Sequence, residues 1–168
     1  MHNLIVGLTG SGKSRLCREI IVPRWCAKGV AVLVLDPLLQ PWPGAHWVTD
    51  DPEAFLATAK ASRSCVLIAD EAQETMRGTP ERERRMVWLA TQARNAGHLA
   101  YFLGQRAMQM PPNVRSNCTN GYIFRQQAPD LKVLEGIFSG DLSAITDFLP
   151  GVCYRVSSFG KPEKMKVF

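Results

Sequence analysis

The sequence of 168 residues predicts an α/β fold with a mainly parallel central sheet flanked by helices. Two observations predict it. Short apolar stretches alternate with amphipathic ones, which is the order expected for parallel strands joined by helices. The stretches VAVLVL, CVLIA and LAYFLG are almost wholly apolar, which is typical of strands covered by helices on both faces. The length suits a single domain over residues 1–168, because two separate cores would each be small.

The elements follow one another along the chain. The predicted strands are HNLIV, VAVLVLD, CVLIA, HLAYFLGQ and GYIFRQ. The predicted helices are Lys13 to about Cys26, TDDPEAFLATAKAS, ERERRMVWLATQARNAG and DLKVLEGIF. PLLQPWPGAHW, after the second strand, is rich in turn residues, and QETMRGTP, after the third, predicts a polar loop. PGVCYRVSSFGKPEKMKVF, at the end of the chain, predicts a β-hairpin with Gly160, Lys161 and Pro162 in the turn.

Local signals place the ends of two of these helices. Asp50 or Asp51 is a suitable N-cap before Pro52, and proline favours the first helical turn. In ERERRMVWLATQARNAG, Gly97 marks the predicted end. Apolar residues of that helix recur at helical spacing and predict a buried stripe, formed by Met86, Leu89, Ala90 and Ala93.

The stretch GLTGSGKSR carries the strongest chemical signal. It fits the pattern G-x-x-x-x-G-K-[ST] between a predicted strand and a predicted helix, where backbone N–H groups converge on phosphate oxygens. Lys13 would meet the β- and γ-phosphates, and the Ser14 hydroxyl would bind Mg²⁺. We therefore expect ATP and Mg²⁺ as the cofactors. The predicted nucleotide-binding residues are Gly7, Thr9, Gly10, Ser11, Gly12, Lys13, Ser14 and Arg15.

An acidic pair follows the third predicted strand. Asp70 is expected to hold the Mg²⁺ shell together with Ser14, and Glu71 is placed to polarise the attacking water. The alternative is a plain helix start, in which Asp70 is the N-cap and Glu71 favours the helix dipole.

The stretch RNAGHLAYFLGQR distinguishes among types of ATPase. If this fourth strand lies between the first and the third, Gln105 at its carboxyl end faces the γ-phosphate and can orient water or report hydrolysis. Arg94 precedes the strand, at the opposite edge of the sheet, so it could act only on a neighbouring subunit's phosphate. An exposed arginine in the last turn of a helix is also favoured by the helix dipole alone.

Together these motifs resemble the HerA/FtsK superfamily of DNA-pumping ATPases. The similarity rests on the loop GLTGSGKS, the acidic pair, the Arg94-to-Arg106 run, VLVLDP and PPNVRSN, and it covers roughly Asn3 to Arg125. A compact chain of this kind is most similar to the genome-packaging ATPases of tailless, membrane-containing double-stranded DNA viruses. The sequence departs from the family pattern at Ala107. The family usually has Gln-Arg-Pro, whereas this sequence has Gln105-Arg106-Ala107.

The resemblance implies a RecA-like sheet, a homohexameric ring around double-stranded DNA and ATP-driven translocation. It assigns catalytic roles to Lys13, Glu71 and Gln105, with Arg94 as the finger acting in trans and Arg115 as the second candidate. Capsid or membrane-vertex proteins are further expected partners, and the expected location is the host cytoplasm or the packaging vertex of the virion.

Charge is consistent with a nucleic-acid partner. The net charge is +5, which favours polyanions without establishing one. The candidate DNA-contact segments are Met76 to Arg85 and the loop from Arg106 to Arg115, and contacts are expected to be to phosphates. In the first segment, Glu81 and Glu83 alternate with the arginines, so a self-paired, solvated helix start is the simpler interpretation.

Other functions share some of these features. A small nucleoside or metabolite kinase has a similar size and phosphate loop, although it has less use for Glu71 and Gln105 together. A cellular or plasmid DNA-transfer ATPase would carry the same motifs, and a nucleotide-dependent switch would bind ATP but turn it over slowly. The chain shows no charged-then-apolar leader and no apolar run of about 18 residues, so we expect a soluble protein.

Overall fold

A computed structural model describes residues 2–168 and contains one eight-stranded sheet. The strands lie in the order β3-β2-β4-β5-β1-β6-β7-β8. Strands β1 to β6 are parallel, and β7 and β8 add an antiparallel hairpin at one edge. Their bounds are His2–Val6, Val32–Leu35, Trp47–Thr49, Val66–Ala69, Leu99–Gly104, Cys118–Ile123, Val152–Ser157 and Gly160–Lys166.

Helices cover both faces of the sheet. Helices α1 to α8 are Lys13–Leu16, Val22–Cys26, Pro52–Ala61, Ala72–Thr75, Pro80–Met86, Trp88–Thr91, Pro112–Asn117 and Ala128–Glu135. A π-helical turn, Cys17–Ile21, joins α1 to α2, and 3₁₀ segments occur at Ala93–Ala96, Ala107–Gln109 and Ser143–Asp147. The predicted α/β fold with a C-terminal hairpin is therefore confirmed. No helix within residues 2–168 combines the length and apolarity that crossing a bilayer requires.

Successive side chains of each strand point to opposite faces of the sheet, so the apolar core forms two layers. In β1, Leu4 and Val6 belong to one buried cluster and Ile5 to the other. In β2, Leu33 likewise faces the first cluster and Val34 the second. Both faces of the sheet are buried, so near-continuous apolar strands were the correct signal for this sheet.

The order of the strands assembles the functional motifs. Strand β5 lies between β1 and β4, as the interpretation of Gln105 required. The segments that follow these three parallel strands therefore meet at one edge of the sheet. The phosphate loop, the acidic pair and Gln105 all lie at this edge, which is where open α/β sheets bind their ligands.

Helix boundaries differ from the predictions in several places. The first helix does run from Lys13 to Cys26, but Pro23 has no N–H to donate within it, and the π turn widens the preceding backbone. The predicted helix ending at Gly97 is interrupted, because i→i−3 hydrogen bonds tighten the chain at Ala90 and at Asn95. Its apolar stripe is nevertheless buried as predicted.

Three short elements were missed and one turn was misplaced. Strand β3 begins at the last residue of the predicted turn-rich segment and ends at the first residue of a stretch predicted as helix. Helix α4 overlaps the start of the predicted polar loop, and α7 was not predicted; each has six residues or fewer, too few for periodicity to reveal. The hairpin turn was predicted at Gly160 to Pro162, but Ser157 pairs with Gly160, so Ser158 and Phe159 form the turn. Phe159 is a residue type that turn composition does not reveal.

Candidate active site

The loop after β1 has a backbone shaped by its glycines. Gly12 has φ of 113°, a left-handed conformation that side chains disfavour. A Cβ on Gly7 would lie 2.5 Å from the Phe124 Cβ, so only glycine fits there. Hydrogen bonds tie the loop to its neighbours, with Leu8 N–H donating to the Arg125 carbonyl at 3.0 Å. The Ser11 hydroxyl is buried and has no hydrogen-bond partner within residues 2–168, and the Ser11 N–H donates to the Leu8 carbonyl at 3.1 Å.

Lys13 is held beneath this loop. Its Nζ donates to the Gly7 carbonyl at 2.7 Å and to the Leu8 carbonyl at 3.3 Å, and the residue is only 7% exposed. Burial lowers the pKa of the Lys13 amine, and the nearby Glu71 and Asp70 carboxylates act in the opposite direction. The ammonium group is thus available to a phosphate once it leaves the loop carbonyls.

Ser14 and Asp70 meet across the loop and the end of β4. The Ser14 hydroxyl donates to Asp70 Oδ2 at 3.2 Å. Burial raises the pKa of Asp70, and the negative charges of Glu71 and Asp36 raise it further. The Glu71 N–H, which donates to Asp70 Oδ1 at 2.9 Å, lowers the pKa in part. A hydroxyl beside a carboxylate is a hard oxygen pair that suits Mg²⁺, an ion that usually completes its shell with water and phosphate. The two residues therefore fit the predicted cation.

Glu71 is fixed by two glutamine side chains. Its carboxylate accepts hydrogen bonds from Gln73 Nε2 and, at 3.3 Å, from Gln105 Nε2. Its backbone has φ of 46°, a left-handed conformation that is rare for a side chain of this size and common at functional sites. Gln105 thus lies against the predicted catalytic carboxylate. Gln73 was not anticipated, because it sits in a stretch predicted to be a polar loop.

Asp36, at the end of β2, shapes the far wall of the site. It is 2% exposed and accepts hydrogen bonds from the Leu38 and Gln40 N–H groups and from Trp42 Nε1, at 2.9, 3.0 and 2.8 Å. These bonds hold the turn after β2 over the phosphate loop. The turn and the loop enclose a cavity of about 160 Å³ lined by Thr9, Gly10, Lys13, Ser14, Asp36, Leu38, Gln40, Asp70 and Glu71.

The two candidate arginine fingers lie elsewhere. Arg94 is exposed in the 3₁₀ segment before β5, at the end of the sheet opposite Asp70. The chain therefore does not bring Arg94 to its own phosphate loop. Arg115 is half-buried in α7, and its Nε has no hydrogen-bond partner within residues 2–168.

A second, larger cavity connects the two segments proposed to contact DNA. We call it the basic groove. It has a volume of about 500 Å³ and is lined by Met76, Arg77, Glu83, Val87, Met108, Gln109, Met110, Pro111, Pro112, Asn113 and Arg115. Arg77 bridges its two walls, with Nη2 donating to the Gln109 carbonyl at 3.3 Å.

Other arginines of these segments are engaged in the fold. Arg106 binds the fully buried Asp130 through Nε and Nη2, both at 3.0 Å from Oδ2. Arg85 pairs with Glu81 at 3.0 Å and with Glu53 at 2.9 Å. Within the two predicted segments, Arg77 and Arg115 are therefore the arginines that line the basic groove.

Comparison with known proteins finds solved structures of similar fold and no similar sequence. No protein-family model and no curated protein sequence matches the chain. The genome-packaging NTPase B204 of Sulfolobus turreted icosahedral virus 2, solved with AMPPCP, superposes with a TM-score of 0.75 at 18% identity, over 98% of this chain and 95% of that one. This chain shares its fold with a viral genome-packaging ATPase.

Two bacterial proteins have the same fold. The type VII secretion ATPase EccC of Thermomonospora curvata gives a TM-score of 0.75 at 15% identity, over 98% of this chain and 25% of that one. VirB4 of Thermoanaerobacter pseudethanolicus gives 0.72 at 10% identity, over 99% and 89%. The expected likeness to this group of ATPases is thus confirmed for the fold.

Proposed function

We propose that this protein is a Mg²⁺-dependent ATPase that moves double-stranded DNA, as the packaging motor of a viral genome. The observation that carries the proposal is the contact between Glu71 and Gln105 beside Asp70. A glutamate next to the Mg²⁺ acid and a polar side chain on the adjacent strand are what hydrolysis of a γ-phosphate needs. The shared fold with B204, a genome-packaging NTPase solved with ATP analogues, supports the same proposal.

Hydrolysis uses the geometry around the phosphate loop. Loop N–H groups hold the phosphate oxygens, and Lys13 exchanges its two carbonyl partners for the β- and γ-phosphates. Ser14 and Asp70 would hold Mg²⁺, which would supply positive charge to offset that of the phosphates. Glu71 takes a proton from the attacking water. Gln105 leaves Glu71 for the γ-phosphate, which frees one carboxylate oxygen for that water.

The basic groove supplies a route from hydrolysis to DNA. Gln105 follows β5, and the chain runs from it through Ala107–Gln109 directly into the groove wall. A movement of Gln105 between Glu71 and the γ-phosphate would therefore shift the segment that Arg77 holds. Arg77 and Arg115 would contact DNA phosphates, because a motor that advances along any sequence cannot depend on base contacts.

A ring is part of the proposal. The position of Arg94 suits a finger that completes the site of the next subunit, since it lies away from its own phosphate loop. We propose a hexamer around DNA, anchored by capsid or membrane proteins at the packaging vertex and working in the host cytoplasm.

The test is phosphate release with and without duplex DNA of several sequences. We expect stimulation by every duplex and a steep fall in DNA affinity as salt rises. Arg77→Ala should lower the stimulation while leaving the rate without DNA unchanged. Arg63→Ala is the matched control, because Arg63 is an exposed arginine before β4, at the other end of the sheet.

Three results would contradict the proposal. They are a rate indifferent to DNA, a strong sequence preference, and transfer of phosphate to a small molecule instead of water. The last of these would favour a kinase.

A further inference from the structure

An exposed aromatic ring lies against the phosphate loop on the side away from Asp70. Phe168 is 40% exposed, and a Cβ on Gly12 would lie only 2.8 Å from its Cε1. The Arg15 guanidinium carbon lies 4.2 Å from the centre of the same ring. Phe168 and Arg15 form a stacked pair, which we call the aromatic platform.

Backbone hydrogen bonds attach the platform to the loop. The Val167 N–H donates to the Gly151 carbonyl at 2.7 Å, and the Gly151 N–H donates to the Ser11 carbonyl at 2.9 Å. Gly151 has φ of 81°, and a Cβ there would lie 3.0 Å from the Phe168 ring. The ring therefore has a defined position beside the loop, set by the end of the β7–β8 hairpin.

Arg15 is held on two sides. Its Nε donates to Glu19 Oε1 at 2.8 Å, while one face of the guanidinium meets the Phe168 ring. Half of the Arg15 side chain remains exposed. A planar guanidinium fixed in this way offers its free face to another flat group.

The orientation of a bound nucleotide follows from where its phosphates bind. Lys13, Ser14 and Asp70 mark where the β- and γ-phosphates and Mg²⁺ belong. The nucleoside must then leave on the other side, past Arg15, which follows Ser14 in α1. Phe168 lies on that side, where β6 is next to β1 in the sheet and β7 is next to β6.

We propose that the aromatic platform of Phe168 and Arg15 is the nucleobase-binding site, on which the base of a nucleoside triphosphate stacks. This rests on the proposed nucleotide hydrolysis. Stacking on an aromatic ring and a guanidinium uses the face that all bases share, so it distinguishes their edges poorly. The protein therefore accepts ATP and GTP with similar affinity.

The experiment compares nucleotides with inorganic tripolyphosphate, which has the phosphates and no base. Phe168→Leu keeps apolar bulk against Gly12 and removes the aromatic face. We expect it to weaken ATP and GTP about tenfold while changing tripolyphosphate binding less than about twofold. Phe168→Trp should keep nucleotide affinity. Phe159→Ala is the control, because Phe159 is 88% exposed at the hairpin turn.

Each outcome is decisive. Equal losses of affinity for ATP and tripolyphosphate in Phe168→Leu would mean that the ring only supports the loop. Unchanged ATP affinity would mean that the base lies elsewhere. Either result overturns the proposal for the aromatic platform and leaves the proposal of nucleotide hydrolysis intact. A wild-type protein that binds neither ATP nor tripolyphosphate would overturn the proposed function and the platform with it.

Discussion

Removing the Arg106 side chain should destabilise the protein strongly. Asp130 is fully buried and accepts two hydrogen bonds, from Arg106 Nε at 3.0 Å and from the Met108 N–H at 2.9 Å, while Arg106 Nη2 lies at ion-pair distance, 3.0 Å, from the same carboxylate. Arg106→Ala leaves this carboxylate without its counter-charge. Losing one partner of a buried ion pair costs about 3–5 kcal/mol. Arg106 is 31% exposed, so water can enter the gap, and we expect a value of about 3 kcal/mol.

Urea unfolding measures this loss directly. The control is Arg155→Ala, because Arg155 and Glu163 form an exposed pair at 3.6 Å whose loss should cost less than about 1 kcal/mol. Turnover of ATP should fall as well, since the segment following Gln105 loses its attachment to Asp130. If Arg106→Ala unfolds with the free energy of wild type, the buried pair does not hold this segment, and the assignment of Arg106 to the fold is wrong.

Three further predictions concern other parts of the molecule. Gln73→Leu should lower the turnover of ATP about tenfold without changing ATP affinity, because Glu71 loses a donor that orients its carboxylate; equal turnover would make Gln73 irrelevant to catalysis. Subunits with Arg94→Ala and subunits with Glu71→Gln should each be nearly inactive when assembled alone. Mixed rings should regain hydrolysis of ATP where an intact arginine faces an intact glutamate. Mixed rings that stay inactive would exclude Arg94 as the finger. Burial, with the charge of Arg94 among the lesser causes, lowers the pKa of His2 to about 4 from 6.5. Its folded-state pKa is depressed, so the stability from a neutral His2 is present above pH 6.5 and is lost as pH falls toward 4. Wild type should lose about 2.5 kcal/mol more than His2→Gln between pH 7 and pH 4.5 in urea unfolding, and equal losses would refute this.

Short local patterns in the sequence were sufficient to predict the residues around the phosphate loop. The phosphate loop, Asp70, Glu71 and Gln105 each follow an apolar strand, and parallel crossovers bring the ends of such strands to one edge of the sheet. Their meeting could therefore be predicted without knowing any long-range contact. The position of Arg94 at the opposite end follows from the same rule.

Contacts between distant residues were beyond the reach of these patterns. Arg106 looked like a DNA contact because its buried partner, Asp130, lies 24 positions away in a stretch with no distinguishing motif. Phe168 reaches the loop only because a hairpin extends the sheet past β6, and no periodicity links residue 168 to residue 12. Gln73 is a polar residue in a polar stretch, where composition predicts solvent exposure and not a bond to Glu71.

Measuring ATP-dependent movement along DNA tests the proposed function most directly. The measurement is displacement of a labelled third strand from a DNA triplex joined to duplex, which reports translocation without reference to base sequence. We predict displacement by wild type with ATP and none with the analogue AMPPCP or by Glu71→Gln. Hydrolysis of ATP by wild type at a rate raised by duplex, with the third strand left in place, would contradict the claim that this protein moves DNA.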